Sequence, residues 1–253
     1  MRTLLVAIQF LTRVPITVEG VTERDVGRSA VFFPVVGALV GGALLGAYLL
    51  LALLLPPVVA RMVTLLIWIM LAGAFHLDGL ADTVDGLYGG KDREDALRIM
   101  KDPHVGAMGV IAIVSTLLVK AAALASLPED VFRGAIVVTP VLGHAAMVLA
   151  LALPYARPAG LGKAFAEHRS TLDVPFASVA TLGAAFGLFK FAGLAALGVG
   201  LLCATVLVGM AWRKIRGVTG DVCGAVNELT ETAALVSLTG LAVLPSWFWR
   251  WHL

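Results

Sequence analysis

Charged residues are scarce in this chain of 253 residues, of which only 14% are Asp, Glu, Lys or Arg while 59% are hydrophobic. Soluble domains carry roughly 25% charged residues, so this composition, with a mean hydropathy of +0.93, indicates a membrane protein. The formal net charge of +2 is too small for a nucleic-acid-binding surface. The expected partner surface is the lipid bilayer, and nucleic acid is not expected.

Cysteine is also nearly absent, because the chain has only Cys203 and Cys223. Two isolated cysteines provide neither a disulfide framework nor a zinc-ligand spacing, and we expect both to be packing residues. The apolar runs lack the polar–apolar alternation of β-strands, and they are long enough to be helices.

Several apolar segments approach the roughly 20 residues that a helix needs to cross a bilayer. They cover about 29–55, 58–75, 106–127, 133–153, 174–189, 192–212 and 229–248. We therefore predict an all-α polytopic integral membrane protein with about seven transmembrane helices, within a range of six to eight. Residues 1–253 are expected to form a single transmembrane domain.

The amino-terminal stretch "MRTLLVAIQFLTRVP" has a short apolar core, but no small-residue cleavage site follows it. A signal peptide is therefore less favoured than an amphipathic helix that lies at the membrane surface.

The distribution of Lys and Arg predicts an orientation. If the amino terminus is cytoplasmic, the outside connections hold only Arg61, Arg133, Lys190 and Arg250, and Lys120 lies within a span. All other basic residues then lie inside, as the positive-inside rule expects. The same topology places the longer polar connections, about 76–105, 154–173 and 213–228, on the cytoplasmic side.

Three carboxylates follow the second apolar segment. Asp78, Asp82 and Asp85 stand at i, i+4 and i+7, which places them within about 60° on a helix. Carboxylates so close to one another at the edge of a span require a counter-charge. A divalent cation, basic side chains or protons can supply it. Hard oxygen ligands favour Mg²⁺ or Mn²⁺ over zinc, and Mg²⁺ usually shares its shell with substrate phosphates. We therefore expect Asp78, Asp82 and Asp85 to be metal ligands and the substrate to be phosphorylated.

Two further polar clusters add candidate residues. In "GKDREDALRIMKDPHVG", Arg98 and Lys101 share a helical face and suit a phosphate, whereas Arg93 and Asp95 are expected to be solvated helix surface. Near the carboxyl end, "TGDVCGAVNELTE" supplies a second acid group that could bind a second metal or act as a base. Its residues of interest are Asp221, Asn227, Glu228 and Glu231, and for Glu228 an acid in the first turn of a helix is the favoured interpretation.

Together these segments resemble cobalamin synthase, the adenosylcobinamide-GDP ribazoletransferase family. The resemblance rests on "FHLDGLADTVDGL", "RIMKDPHVGAMG", "TGDVCGAVNELTE", "FLTRVP", "FFPVVG" and "YARPAGLG", which occur in the family's order over nearly the whole chain. One departure is His144, which lies mid-span where the family is expected to show an arginine more often. A histidine hydrogen-bonded between helices is an equally favoured interpretation of His144.

The resemblance implies a polytopic inner-membrane enzyme of vitamin B12 synthesis with a single catalytic domain. It would join adenosylcobinamide-GDP to α-ribazole or its 5′-phosphate, depend on Mg²⁺ and release GMP. Other enzymes of the pathway at the same membrane are possible partners. The implied catalytic residues are Asp82, Lys101, Asp102, Asp221 and Glu231. The expected substrate-binding residues are Arg98, His104 and Asn227.

Two other functions compete with this one. CDP-alcohol phosphotransferases also carry clustered Asp residues on membrane helices, but "DGLADTVDG" does not match their usual DGxxAR element. In a cation- or proton-coupled transporter, Asp78, Asp82 and Lys120 would line a path. The acids instead gather at one membrane face, which disfavours the transporter.

Overall fold

A computed structural model describes residues 1–158 and 160–245, and within these ranges the chain is helical without a β-strand. This confirms the all-α membrane fold. The helices are α1 (Arg2–Leu11), α2 (Glu23–Ser29), α3 (Phe33–Leu51), α4 (Pro57–Leu71), α5 (Phe75–Gly89), α6 (Arg93–Ile99), α7 (Ala107–Ser126), α8 (Glu129–Leu151), α9 (Leu161–His168), α10 (Asp173–Ile215) and α11 (Gly220–Leu241). A 3₁₀ turn, Ala30–Phe32, links α2 to α3.

Helix α8 is the centre of the bundle, because it is mostly buried and packs against α3, α10 and α11. Its approach to α3 depends on Gly37 and Gly41, where an added Cβ would lie 2.5 Å from the carbonyl oxygens of Pro140 and Val137. Glycine thus allows two backbones to touch, as small residues do in membrane bundles.

Helices α4 and α5 form one bent unit with 78° between their axes. Gly73 and Ala74, both with positive φ, make the bend. The end of α1 is attached there, since the backbone N–H of Arg13 donates to the carbonyl of Leu71 at 2.8 Å. The guanidinium of Arg13 also lies 4.3 Å from the ring centroid of Phe75. The stretch 76–105, expected to be a polar connection, therefore contains a helix that packs against α7 and α11.

Helix α10 is a hairpin. A straight helix of its 43 residues would be about 65 Å long, twice the roughly 30 Å of a hydrocarbon core. Phe189 and Lys190 leave helical geometry, and the chain folds back so tightly that Gly193 has no room for a Cβ beside the carbonyl of Ala185. The two halves correspond to the segments predicted at about 174–189 and 192–212.

Length and composition allow four of the described helical segments to cross a membrane, or five if α4 and α5 count as one span. These segments include α10 as a single helix. The number of seven spans stays a prediction. Helix α1 is apolar but short, and its position at a membrane surface is also a prediction.

One set of polar contacts lies at each end of the bundle. At one end, Arg61 donates to the carbonyls of Leu124, Ala125 and Leu127 and pairs with Glu129 at 3.1 Å. At the other end, Arg93 donates to the carbonyls of Ile215 and Ala156. Tyr155 and Val218 form a single parallel β-bridge there. The second end carries the longer connections.

Candidate active site

Two acidic residues of α5 and one of α11 meet where these helices cross. An added Cβ at Gly79 would lie 2.8 Å from the carbonyl oxygen of Asp221, and one at Gly224 would lie 3.2 Å from the Cα of His76. Glycines therefore let the backbones touch. Because Asp78 and Asp82 flank Gly79 on α5, the crossing brings them to Asp221, in the first turn of α11.

One arginine balances part of this charge. The guanidinium of Arg157 lies 2.7 Å from the carboxylate of Asp221, which also accepts from the hydroxyl of Thr219 at 3.2 Å. Asp82 is half-buried and within electrostatic range of Asp221, Asp78 and Arg157. Three carboxylates and one guanidinium leave excess negative charge, so the arrangement favours a cation. We call Asp78, Asp82, Asp221 and Arg157 the acid cluster.

Asp85 is within electrostatic range of Asp82, but its carboxylate is engaged by another helix. Its carboxylate accepts the backbone N–H groups of Gly106 at 2.7 Å and Gly109 at 2.8 Å, and these groups begin α7. Asp85 therefore caps the amino terminus of a neighbouring helix, where four N–H groups lack partners within the helix. Its role as a metal ligand stays a prediction.

Oxygen donors of the acid cluster suit Mg²⁺ chemically. Within the described ranges, no three His, Cys, Asp or Glu side chains are arranged closely enough to hold a metal by themselves. Mg²⁺ does not need such a cage, because it usually binds through one or two carboxylates and completes its shell with water and substrate phosphates. Exposed Asp78 and half-buried Asp82 can accept such a shell.

Two cavities open on either side of Arg157 and Asp221. The acid cavity, of about 380 Å³, is lined by Asp78 and Asp221 and by His76 and Gln9. The aromatic cavity, of about 450 Å³, is lined by Arg157 and Lys101 and by rings of α1, α3 and α9. Phe10, Met147 and Gly220 line both, so the two cavities adjoin.

Residues of the second motif lie on the surface beside these cavities. Lys101 is exposed and lines the aromatic cavity, whereas Arg98 pairs with Asp95 on its own helix at 2.5 Å. Asp102 accepts from the backbone N–H of His104 at 2.9 Å and lies 2.8 Å from its imidazole. These two contacts hold the pKa of Asp102 below its usual range. The site roles of Arg98, Asp102 and His104 stay predictions.

Asn227 and Glu231 lie in a different place, the buried network between α5, α7 and α11. The ammonium of Lys120 is 2.6 Å from a carboxylate oxygen of Glu228 and 2.6 Å from one of Glu231. The amide of Asn227 donates to Glu231 at 3.0 Å and lies 3.1 Å from Nδ1 of His76. Because His76 lies two residues before Asp78 on α5, the buried network contacts the helix that carries part of the acid cluster.

The residue at which α11 begins explains why Asp221 lies in the acid cluster and Glu231 in the buried network. The last span was expected from residue 229, but the helix begins at Gly220, so Glu228 lies in its third turn and not in its first. The interpretation of Glu228 as a first-turn acid was therefore wrong.

His144 hydrogen-bonds to the carbonyl of Pro140 on its own helix at 2.8 Å, and its ring meets that of His76 edge-on at 5.4 Å between centroids.

Sequence reasoning assigned no site role to Arg157 or to the rings of the aromatic cavity. Arg157 belongs to "YARPAGLG", which was recognised only as part of the resemblance, and Phe33 belongs to "FFPVVG". An arginine in a polar connection was the available signal, but nothing in its spacing indicated Asp221 as its partner.

Comparisons with known proteins give the family. A family model described as cobalamin-5-phosphate synthase matches residues 3–239. The chain is 43% identical over 244 residues to the adenosylcobinamide-GDP ribazoletransferase of Pseudomonas aeruginosa, and this alignment covers 94% of the chain and 98% of the relative. It is 41% identical over 239 residues to the protein of the same name from Pseudomonas entomophila, with 92% and 96% covered. No solved structure matches. The chain belongs to the cobalamin-5-phosphate synthase family.

Proposed function

We propose that this protein is an adenosylcobinamide-GDP ribazoletransferase, which joins adenosylcobinamide-GDP to α-ribazole or its 5′-phosphate and releases GMP. The family match over nearly the whole chain supports the reaction. The observation that carries the site is the meeting of Asp78 and Asp82 with Asp221 and Arg157 beside two adjoining cavities. This location differs from the buried network, where Glu228 and Glu231 share the ammonium of Lys120 and the adjoining cavity has only about 10 Å³.

The reaction exchanges one phosphorus–oxygen bond for another. A ribose hydroxyl attacks the phosphorus on the cobinamide side of the pyrophosphate and releases its proton. The bond between this phosphorus and the GMP oxygen breaks, and GMP leaves with the electron pair. Such transfers depend mainly on positioning and on stabilising the charge of the phosphoryl oxygens. We expect a direct in-line displacement with inversion at phosphorus and no covalent enzyme intermediate.

The chain's own residues supply these two requirements. Arg157 and Lys101 place positive charge in the wall of the aromatic cavity, where they can bind phosphate oxygens. One or two carboxylates of Asp78, Asp82 and Asp221 would hold Mg²⁺, together with water and substrate phosphates. When bound, Mg²⁺ neutralises charge on the pyrophosphate and on the departing GMP.

The site is proposed to lie at the cytoplasmic face of the inner membrane. The longer connections, which contain most of the basic residues, lie at the same end of the bundle as the acid cluster. This agrees with the positive-inside rule. The substrates would then enter from the cytoplasm, where other enzymes of the pathway at the membrane could supply them.

Turnover by the purified protein tests the function. Protein in lipid vesicles is incubated with Mg²⁺, adenosylcobinamide-GDP and α-ribazole, and GMP release is measured. We expect GMP to form only when all three are present, and Asp82→Asn to lower the rate roughly 100-fold or more by removing charge beside the transferred phosphoryl group. Glu94→Gln, at an exposed acid of α6 outside the acid cluster, is the matched control and should retain the wild-type rate. Full activity of Asp82→Asn would remove Asp82 from the site.

A further inference from the structure

The walls of the aromatic cavity come from elements far apart in sequence. Phe10 of α1, Phe33 of α3 and Phe165 of α9 form a ring cluster, in which Phe165 lies 5.0 Å from Phe10 and 5.4 Å from Phe33 between centroids. Met147 and Leu151 of α8 form another part of the wall. At about 450 Å³ the cavity lies within the range of small-molecule sites.

Few of the side chains that line the aromatic cavity are polar. Tyr155, Arg157 and Lys101 provide a hydroxyl and two cationic groups, whereas the ring cluster, Met147 and Leu151 offer no strong hydrogen-bond donor or acceptor from their side chains. Arg157 donates to the carbonyl of Met100, the residue before Lys101, at 3.3 Å, and it is paired with Asp221, which lines the acid cavity. A molecule that packs its apolar part against the ring cluster and binds Arg157 with its polar part therefore reaches the acid cluster.

The proposed substrates have three large parts, and only one suits this cavity. The corrin macrocycle with its amide arms is too bulky for a cavity of about 450 Å³. Guanine would bury amide and amino groups against rings that cannot pair with them, which costs free energy. A benzimidazole-type base is planar and mostly apolar, and aromatic walls favour such a ring system. The remaining part, its ribose, carries the hydroxyl that must reach the reacting phosphorus.

We propose that the aromatic cavity binds the base of the nucleoside acceptor, with its ribose at Arg157 and Asp221. This rests on the proposed function and adds a location for one of the two substrates. The residues that contact the base are then Phe10, Phe165 and Leu151, and they determine which lower base the enzyme accepts. The cobinamide nucleotide approaches from the acid cavity, so the two substrates meet at the acid cluster.

A substitution that narrows the cavity tests this location. Leu151→Phe adds volume at the wall, while Leu149→Phe makes the same change two residues away on α8, at a side chain that lines other cavities. We expect Leu151→Phe to raise KM for α-ribazole roughly tenfold, about 1.4 kcal/mol of binding, and to leave KM for adenosylcobinamide-GDP within about twofold. Leu149→Phe should change neither value. An equal rise in both KM values, or a rise for the cobinamide nucleotide alone, would overturn the proposal.

A second measurement does not need turnover. Equilibrium dialysis of α-ribazole against the purified protein measures its Kd directly. We expect Leu151→Phe to raise that Kd roughly tenfold and Leu149→Phe to leave it within about twofold. An unchanged Kd in Leu151→Phe would contradict a base site in the aromatic cavity. Binding that weakens in Leu151→Phe, together with no GMP release by the wild-type protein from the two substrates, would contradict the transferase function and leave the base site standing.

Discussion

Asp85 stabilises the start of α7 through a carboxylate that two backbone N–H groups share. In Asp85→Asn the negative charge is lost, and one side-chain oxygen is replaced by an NH₂ group that cannot accept. We expect the free energy of unfolding to fall by about 1–3 kcal/mol, because hydrogen bonds to a charged acceptor contribute that much. Thermal unfolding of the purified variant without Mg²⁺ measures the effect.

The same variant separates capping from metal binding. If Asp85 is a metal ligand, Asp85→Asn will raise the Mg²⁺ concentration needed for half-maximal GMP release. If Asp85 only caps α7, the substitution will leave that concentration unchanged. Asp82→Asn provides the comparison, because none of the described groups donates a hydrogen bond to the carboxylate of Asp82. We therefore expect Asp82→Asn to leave the melting temperature unchanged. A stable Asp85→Asn enzyme with a shifted Mg²⁺ requirement would contradict the capping role.

At the scale of single residues, sequence spacing predicted which acids share a helical face but not what lies opposite that face. Asp78, Asp82 and Asp85 were correctly placed on one helix, α5. Whether each carboxylate meets a cavity or a helix terminus depends on α7 and α11, which are distant in sequence. The ion pair of Arg157 with Asp221 escaped prediction for the same reason.

Between elements, the buried network is the main polar connection of α7 to α11. Lys120→Met leaves Glu228 and Glu231 buried without their cation, and the loss of one partner of a buried ion pair typically costs about 3–5 kcal/mol. We expect unfolding in detergent to occur at a much lower temperature or denaturant concentration. Lys163→Met is the matched control, since its pair with Glu167 at 3.5 Å is partly exposed and contributes about 1 kcal/mol or less.

A double variant shows whether the uncompensated charge causes the loss of stability in Lys120→Met. Adding Glu228→Gln to Lys120→Met removes one of the two stranded carboxylates, so part of the lost stability should return. If Lys120→Met were no more destabilising than Lys163→Met, the buried network would not hold α7 to α11. If the double variant were less stable than Lys120→Met, stranded charge would not explain the loss.

Helix existence followed from the apolar runs, whereas helix ends and bends depended on packing. Hydropathy correctly separated the two halves of α10 at Lys190, but it did not show that Gly193 packs against Ala185. It also began the last helix at residue 229, because polar residues such as Asn227 lower the local hydropathy. Those side chains are buried by pairing with one another, which a hydropathy average cannot represent.

Over the whole molecule, glycines distinguish surfaces that pack from surfaces that remain open. Gly37 and Gly41 contact α8, whereas a Cβ added at Gly42 or Gly46 would have no atom from another element within 4 Å. Of the two GxxxG pairs in the first apolar segment, one therefore serves packing within the chain. This is the interpretation that membrane bundles favour for small residues.

The proposed orientation of the bundle in the membrane predicts which of its two ends a reagent outside the cell can label. Leu54 is 85% exposed in the turn between α3 and α4, near the Arg61 end, and Glu94 is exposed at the end that carries the acid cluster. In a background of Cys203→Ser and Cys223→Ala, a membrane-impermeant maleimide should label Leu54→Cys in intact spheroplasts. Glu94→Cys should react only after the membrane is permeabilised, because the basic connections at its end favour the cytoplasm. The opposite pattern would place the acid cluster outside, where a pathway that supplies its nucleotide substrates from the cytoplasm could not reach it.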